Sequence, residues 1–110
     1  MPFFKATKLE TLKEKQKMRF ELGGTRVLLV YLDDKVYAMN DRCPHMRASL
    51  YEGTIDEEGI VTCPKHNAKI NVKTGEVVEK ARVMFIKMPT SKAFTYRVKV
   101  ENAMIYVNIV

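Results

Sequence analysis

Two short segments of this sequence each carry one cysteine and one histidine. The first reads "CPHM" and contains Cys43 and His45, and the second reads "CPKH" and contains Cys63 and His66. The 110-residue chain has no other cysteine or histidine. Two thiolates and two imidazoles can complete a tetrahedral zinc site, or they can be divided between the two irons of a 2Fe-2S cluster. The four residues are therefore one candidate metal site.

The spacing of the four residues bears on this choice. A zinc finger of the Cys2His2 type needs both histidines on one helix and both cysteines on a hairpin, whereas each segment here offers one of each. That symmetry favours a cluster held between two similar loops; a mononuclear zinc site and two unrelated Cys/His pairs are the alternatives. Pro44 and Pro64 follow the cysteines and fix φ there. Gly53 and Gly75 are the predicted turns that return the chain to its scaffold.

The residues before Cys43 alternate apolar and polar side chains with the two-residue period of β-strands. This pattern predicts a three-strand meander made of "KMRFEL" (17–22), "TRVLLVYL" (25–32) and "KVYAMN" (35–40). Gly23 and Gly24 supply the positive φ angles of its first turn, and "DD" (33–34) makes its second. The middle strand is almost continuously apolar, so we expect it to be the most buried of the three. The meander leads the chain to Cys43.

Strand and turn signals continue beyond the second Cys/His pair. The sequence predicts one strand over 81–88 ("ARVMFIKM"), ended by Pro89, and a terminal hairpin of "FTYRVKV" and "MIYVNIV" around the turn "ENA". Only 7–17 has weak helical character. Together with the chain length, these segments predict a single all-β domain, residues 1–110, with both Cys/His pairs on loops.

The charge balance is positive, with 19 Lys and Arg against 13 Asp and Glu, a net charge of +6. Such a balance can indicate nucleic acid, an anionic membrane surface or an acidic protein partner. The basic residues are scattered, and no apolar run is long enough for a membrane span. The uncharged N-terminal stretch "MPFF" is too short for a secretory signal. We therefore expect a cytoplasmic protein, in which paired cysteines are more often metal-binding or catalytic than disulfide-bonded.

The two Cys/His segments resemble those of the Rieske 2Fe-2S proteins. "CPHM" followed by "SLYEG", and then "CPKHNAKINVKTGE", are similar to the C-x-H and C-x-x-H motifs of that family. "YRVKVENAMIYVNI" is similar to the final hairpin of its small soluble ferredoxins, so the resemblance covers the chain from about Val27 onward. It implies three antiparallel sheets and a two-loop cluster-binding subdomain at about 41–75.

The resemblance also implies how the four ligands are divided. Cys43 and Cys63 would bind one iron of a Rieske-type 2Fe-2S cluster. His45 and His66 would bind the other iron, which accepts the incoming electron at an exposed tip. The glycines usual after the two histidines are replaced by Arg47 and Asn67.

Other departures from the family concern the cluster environment. The cysteines that form a disulfide in high-potential members correspond to Ala48 and Lys65, so that bridge is impossible. The serine and tyrosine that donate hydrogen bonds to the cluster in those members correspond to Ala68 and Ile70. Each lost donor removes stabilisation of the reduced cluster, which indicates a low-potential, ferredoxin-like protein. Basic residues near the motifs oppose this trend: Arg42, Arg47, Lys65 and Lys69.

The resemblance implies a soluble electron carrier that passes single electrons from a flavoprotein or other reductase to a terminal oxygenase or similar redox enzyme. A closely related alternative is the small Rieske subunit of an assimilatory nitrite reductase. The chain has no nucleotide-binding signature, so we expect a component of an oxidoreductase system and not an enzyme. Its basic loops predict an acidic docking patch on the partner. A basic, zinc-stabilised nucleic-acid-binding module is the alternative of another class, weakened by the lack of a recognition helix.

Overall fold

The computed structural model describes residues 3–42, 48–64, 68–79, 82–83, 86–87 and 93–109. In these ranges the chain forms twelve strands, one α-helix and one turn of 3-10 helix. In chain order they are β1 (Phe3–Lys8), α1 (Leu9–Lys15), β2 (Lys17–Leu22), β3 (Thr25–Leu32), β4 (Lys35–Asn40), the 3-10 turn (Leu50–Glu52), β5 (Thr54–Ile55), β6 (Ile60–Thr62), β7 (Lys69–Asn71), β8 (Val77–Glu79), β9 (Arg82–Val83), β10 (Ile86–Lys87), β11 (Thr95–Glu101) and β12 (Met104–Asn108).

The described strands form three antiparallel sheets. The largest has six strands in the order β1-β12-β11-β4-β3-β2, the second has four in the order β5-β6-β7-β8, and β9 pairs with β10 in the third. Most neighbours in these sheets are consecutive along the chain, as in hairpins and meanders. The all-β class and the three-sheet arrangement implied by the resemblance are confirmed.

The predicted meander is confirmed, and β2, β3 and β4 begin and end at the expected residues. Each of its two turns contains two residues with positive φ. These angles are 57° and 79° at Gly23 and Gly24, and 50° and 63° at Asp33 and Asp34. Such backbone angles match the twist of the flanking strands, so the two-residue turns fix the register of the meander.

The middle strand, β3, is buried on both faces because it lies between two apolar cores. Leu28 and Val30 belong to one core and Val27 and Leu29 to the other. We call the first the site-side core, which contains Leu28, Val30, Met39, Ala48, Leu50, Val61, Cys63, Ala68, Ile70, Val72 and Ala93. The second is the helix-side core, which contains Leu12, Leu22, Val27, Leu29, Ala38, Ile105 and Val107. Burial on both faces explains the continuous apolar run of β3.

The segment with weak helical character, 7–17, contains α1. This helix has seven residues and no side-chain cap at its N-terminus, and its one buried residue is Leu12, in the helix-side core. A helix this short depends on tertiary packing for its stability. No helix in the described ranges is long and apolar enough to cross a membrane.

The first strand, β1, was not predicted. It pairs with β12 at the other end of the chain, with Phe3 opposite Asn108. A strand whose partner lies so far away in sequence has no adjacent turn signal, and its pattern alone is weak evidence.

The prediction of a single strand over 81–88 is wrong. The structure has two short strands there, β9 and β10, which pair antiparallel with Val83 opposite Ile86. The chain therefore reverses direction inside an uninterrupted apolar run, which contains no glycine, proline or asparagine to indicate a turn. The predicted terminal hairpin is confirmed as β11 and β12, and its turn contains Asn102 and Ala103 with φ of 51° and 62°.

Candidate metal centre

One of the four predicted ligands, Cys63, lies in the described part of the chain. Cys43, His45 and His66 lie outside the described residues. Described residues flank both of the segments that contain them, and these define where each segment leaves the scaffold and returns to it.

The second ligand loop, residues 63–68, connects the hairpin strands β6 and β7. Cys63 directly follows β6 and is fully buried. Its backbone N–H donates a hydrogen bond to the carbonyl of Ala68 at 2.7 Å. Just outside this bond, Thr62 pairs with Lys69. The hairpin therefore fixes the backbone position of the buried cysteine.

The first ligand loop, residues 42–49, is closed by backbone contacts at its two ends. Arg42 and Ser49 form an antiparallel bridge. Next to it, the N–H of Leu50 donates to the carbonyl of Asp41 at 2.6 Å, and the N–H of Asp41 donates to the carbonyl of Arg26 at 3.0 Å. The chain therefore leaves β4 and returns at the same place on the scaffold.

The ends of both ligand loops meet in the site-side core. Ala48 comes from the first loop, and Cys63 and Ala68 come from the second, and all three are buried. The two alanines are small, and an apolar environment around a sulfur ligand limits the access of water. A buried thiol in the same apolar core as two small side chains, together with the predicted thiolate and imidazole donors, fits the requirements of a 2Fe-2S cluster.

Ala68 and Ile70, which replace the serine and tyrosine of the high-potential proteins, are apolar residues at apolar positions. Both side chains are fully buried in the site-side core. Neither has a hydroxyl that could donate a hydrogen bond. Ala48 is buried as well, whereas Lys65, Arg47 and Asn67 lie outside the described residues.

We expect the variant Ala68→Ser to have a higher reduction potential than the parent protein. A hydrogen bond from the serine hydroxyl would stabilise the reduced site by about 1–2 kcal/mol. For one electron, this corresponds to a rise of roughly 40–90 mV in the reduction potential. Ala48→Ser is the matched control, because it adds the same hydroxyl to the same core at the position that corresponds to a disulfide cysteine. Potentiometric titration, monitored by visible absorption, measures the reduction potentials of both variants. A potential equal to that of the parent in Ala68→Ser would contradict the expectation.

The two predicted turn glycines have different structural roles. Gly75 has a positive φ of 78°, which confirms its turn. Gly53 has a φ of −83°, which any residue can adopt. A Cβ atom on Gly53 would instead lie 2.0 Å from the carbonyl oxygen of Thr62, the residue before Cys63. Gly53 is therefore required because the backbones next to the two ligand loops approach each other closely.

One residue beside the site, Asp41, was not predicted from the sequence. Its side chain is fully buried, and in the described ranges the only other buried residue of the polar or charged class is Asn108. Its position in "NDRCPH", two residues before Cys43, is a signal in the sequence. Aspartates are mostly exposed, however, so only the tertiary structure reveals the burial.

Comparison with known families gives one match to a family model. Residues 3–89 match the Rieske [2Fe-2S] domain. This match begins at residue 3, whereas the resemblance described from the sequence motifs covered the chain only from about Val27 onward. The difference arises because the first strands of the fold carry no ligand motif.

Two curated relatives are components of oxygenase systems. The 3-phenylpropionate/cinnamic acid dioxygenase ferredoxin subunit of Shigella boydii is 33% identical over 84 residues, which are 76% of this chain and 72% of that protein. The alkene monooxygenase ferredoxin component of Xanthobacter autotrophicus is 33% identical over 70 residues, which are 64% of this chain and 57% of that protein. The match thus spans little more than half of the second relative.

Two solved structures have the same fold over nearly the whole chain. The ferredoxin of carbazole 1,9a-dioxygenase from Nocardioides aromaticivorans has a TM-score of 0.81 and 27% identity, and the match covers 97% of each chain. A chain from the complex of reduced oxygenase and oxidized ferredoxin in carbazole 1,9a-dioxygenase has a TM-score of 0.79 and 26% identity. That match covers 96% of this chain and all of the other.

Proposed function

This chain belongs to the Rieske [2Fe-2S] domain family, and on that premise we propose that it passes single electrons from a reductase to a terminal oxygenase. The observation that carries the proposal is that the ends of both ligand loops belong to one apolar core, which contains the buried Cys63. The relatives named as ferredoxin components of oxygenase systems support it. The protein is an electron carrier and not an enzyme.

We assign the four ligands as the resemblance implies. Cys43 and Cys63 would hold one iron, and His45 and His66 would hold the other. When bound, the cluster supplies a one-electron redox centre. Cys63 holds its sulfur in a fixed, water-poor position, because β6 and the hydrogen bond to Ala68 fix its backbone and the site-side core surrounds it. A rigid site of low polarity is what rapid electron transfer needs from the polypeptide.

Spectroscopy of the purified protein tests this assignment. We expect a reddish-brown protein with two irons and two inorganic sulfides per chain, which dithionite bleaches. A colourless protein with one zinc ion would overturn the proposal. A reconstituted system with a candidate reductase and a terminal oxygenase then tests the relay, since turnover should require this protein.

The two alternatives are less well supported. The relatives named above belong to oxygenase systems, which favours an oxygenase partner over a role as the small subunit of a nitrite reductase. The family itself favours an iron-sulfur cluster over a zinc-stabilised nucleic-acid-binding module. A reduction assay with nitrite reductase beside the oxygenase decides between the two redox partners.

The cytoplasm is the location that we propose, because thiolate ligands stay reduced there. The burial of Cys63, at the start of the second ligand loop, is consistent with a metal-binding role for the cysteines. Fractionation of the native cells, followed by detection of the protein, tests this location.

We expect the rate of electron transfer to the partner to fall as salt is added. The chain carries a net charge of +6, and Arg26 and Arg42 are exposed beside the first ligand loop. Arg42→Gln should slow the reaction roughly two- to fivefold at low ionic strength, because it weakens the attraction to an acidic docking patch. Stopped-flow reduction of the partner at about 0.02 to 0.5 M salt measures the effect.

The matched control for this prediction is Lys35→Gln. Lys35 is exposed at the opposite end of β4, roughly 17 Å along the strand from Asn40. Lys35→Gln should leave the rate of electron transfer to the partner nearly unchanged. A rate that is independent of salt, or an equal effect of both variants, would contradict a docking patch around the first ligand loop.

A further inference from the structure

The side chain of Asp41 makes an unusual set of contacts for a residue at the end of a strand. It is fully buried. Its Oδ2 accepts a hydrogen bond from the hydroxyl of Ser49 at 2.5 Å, and its Oδ1 accepts one from the backbone N–H of Tyr51 at 2.8 Å. The guanidinium of Arg19 lies 3.8 Å from Oδ2. A buried carboxylate is costly unless it is paired and hydrogen-bonded, and this one is both.

These contacts join the two ends of the first ligand loop. Asp41 lies just before the loop, whereas Ser49 and Tyr51 lie at its end and just after it. The backbone of Asp41 makes two further hydrogen bonds, to Arg26 in the six-stranded sheet and to Leu50 after the loop. One residue therefore fixes the loop to the scaffold and fixes its two ends to each other.

Strand β2 extends this network to the edge of the six-stranded sheet. Arg19 donates to the hydroxyl oxygen of Ser49 at 2.8 Å. Lys17 donates to the carbonyl oxygens of Tyr51 and Gly53. The same two cations lie over the ring of Tyr51, with Lys17 Nζ at 4.9 Å and the Arg19 guanidinium carbon at 5.3 Å from its centroid. The segment after the first ligand loop is thus held by charged groups from a strand that carries no ligand.

Closure of the loop alone does not require this network. The backbone bridge between Arg42 and Ser49 already closes it, and closing a short loop does not call for a buried charge. A buried carboxylate adds directional bonds that fix the relative position of the two ends to within a hydrogen-bond length. Such precise placement of the loop ends matters where a loop must bring ligands to a metal.

We propose that Asp41 is a positioning residue of the metal centre, which holds the first ligand loop in register with Cys63 on the second loop through Ser49, Tyr51 and Arg19. The proposal rests on the proposed function, because the loop that it positions carries the assigned ligands Cys43 and His45. Asp41 acts through the loop and does not bind the metal.

The variant Asp41→Asn tests this role with little change in shape. The asparagine can still accept from the N–H of Tyr51, but it replaces the acceptor that faces Ser49 and Arg19 with a donor. We expect it to lose the cluster roughly tenfold faster than the parent. Its electron paramagnetic resonance spectrum in the reduced state should be broadened, and its reduction potential should be shifted. Ser49→Ala removes one of the same bonds and should show smaller changes in the same properties.

Asp56→Asn is the matched control. Asp56 is exposed and accepts two backbone hydrogen bonds, from Glu58 at 2.9 Å and Ile60 at 3.0 Å, in the turn between β5 and β6. That turn carries no assigned ligand, so Asp56→Asn should leave the resonance spectrum, the potential and the rate of cluster loss unchanged. Thermal unfolding followed by far-ultraviolet circular dichroism measures any loss of global stability separately.

The experiment compares the four purified holoproteins, namely the parent, Asp41→Asn, Ser49→Ala and Asp56→Asn. Altered spectra in the first two variants, but not in the control, support the proposal. Spectra, potentials and rates of cluster loss equal to those of the parent in both Asp41→Asn and Ser49→Ala would overturn it, as would equal changes in the control. If Asp41→Asn does not fold, Ser49→Ala decides. A colourless parent protein would instead overturn the proposed function itself.

Discussion

Replacement of Cys63 by alanine is expected to give a folded but colourless protein that cannot transfer electrons. Cys63 is the assigned ligand that lies in the described ranges, and it is fully buried in the core that contains the ends of the two ligand loops. Alanine removes only the sulfur atom, so the hairpin of β6 and β7 and the bond from residue 63 to Ala68 can persist. The iron with which Cys63 is paired would keep a single protein ligand, which is too few to hold a cluster.

Iron analysis, visible absorption and circular dichroism together measure this outcome. The matched control is Val61→Ala, which removes a fully buried side chain from the same core two residues earlier. That variant should lose about 1–3 kcal/mol of stability and keep its colour. A coloured Cys63→Ala protein with two irons per chain would contradict the assignment of Cys63 as a ligand.

The variant Gly53→Ala should lower both the stability of the protein and its retention of the cluster. An added Cβ would lie 2.0 Å from the carbonyl oxygen of Thr62, which belongs to the backbone and cannot rotate away. Residue 53 follows the first ligand loop, and Thr62 precedes Cys63 on the second. Relief of the clash would therefore separate the backbone segments that adjoin the two loops. We expect a cost of about 2–3 kcal/mol, which corresponds to a fall of roughly 10–15 °C in the melting temperature.

Gly24→Ala separates this clash from the general effect of losing a glycine. Gly24 has a φ of 79°, but a Cβ there would have no atom within 4 Å. It should cost only about 1 kcal/mol, through backbone strain, and should keep the cluster. Thermal unfolding followed at visible and far-ultraviolet wavelengths measures both variants. Equal melting temperatures for Gly53→Ala and the parent would rule out the close approach of the two backbones.

Local features of the fold were predictable because short-range physics determines them. The meander of β2, β3 and β4 follows from two-residue alternation and from turn residues that tolerate positive φ, such as Gly23 and Gly24. The terminal hairpin follows from the same signals. The missed features include β1, whose partner β12 lies at the other end of the chain, and the reversal between β9 and β10, where no turn residue indicates it.

The chemistry of the site was also predictable, because two cysteines and two histidines in two similar segments allow few alternatives. The ligand identities of Cys43, His45, Cys63 and His66 stay predictions, since three of these residues lie outside the described ranges.

The sequence by itself determined the candidate donor atoms, the strands of the meander and of the terminal hairpin, and the absence of hydroxyl groups at Ala68 and Ile70. Each of these depends on side-chain type and on neighbours a few residues away. Only the tertiary structure decided that the ends of both ligand loops share one core, that Gly53 lies against the backbone before Cys63, and that Asp41 is buried. Burial and close approach are set by segments that are distant in sequence and come together only when the sheets pack, so no local pattern can specify them.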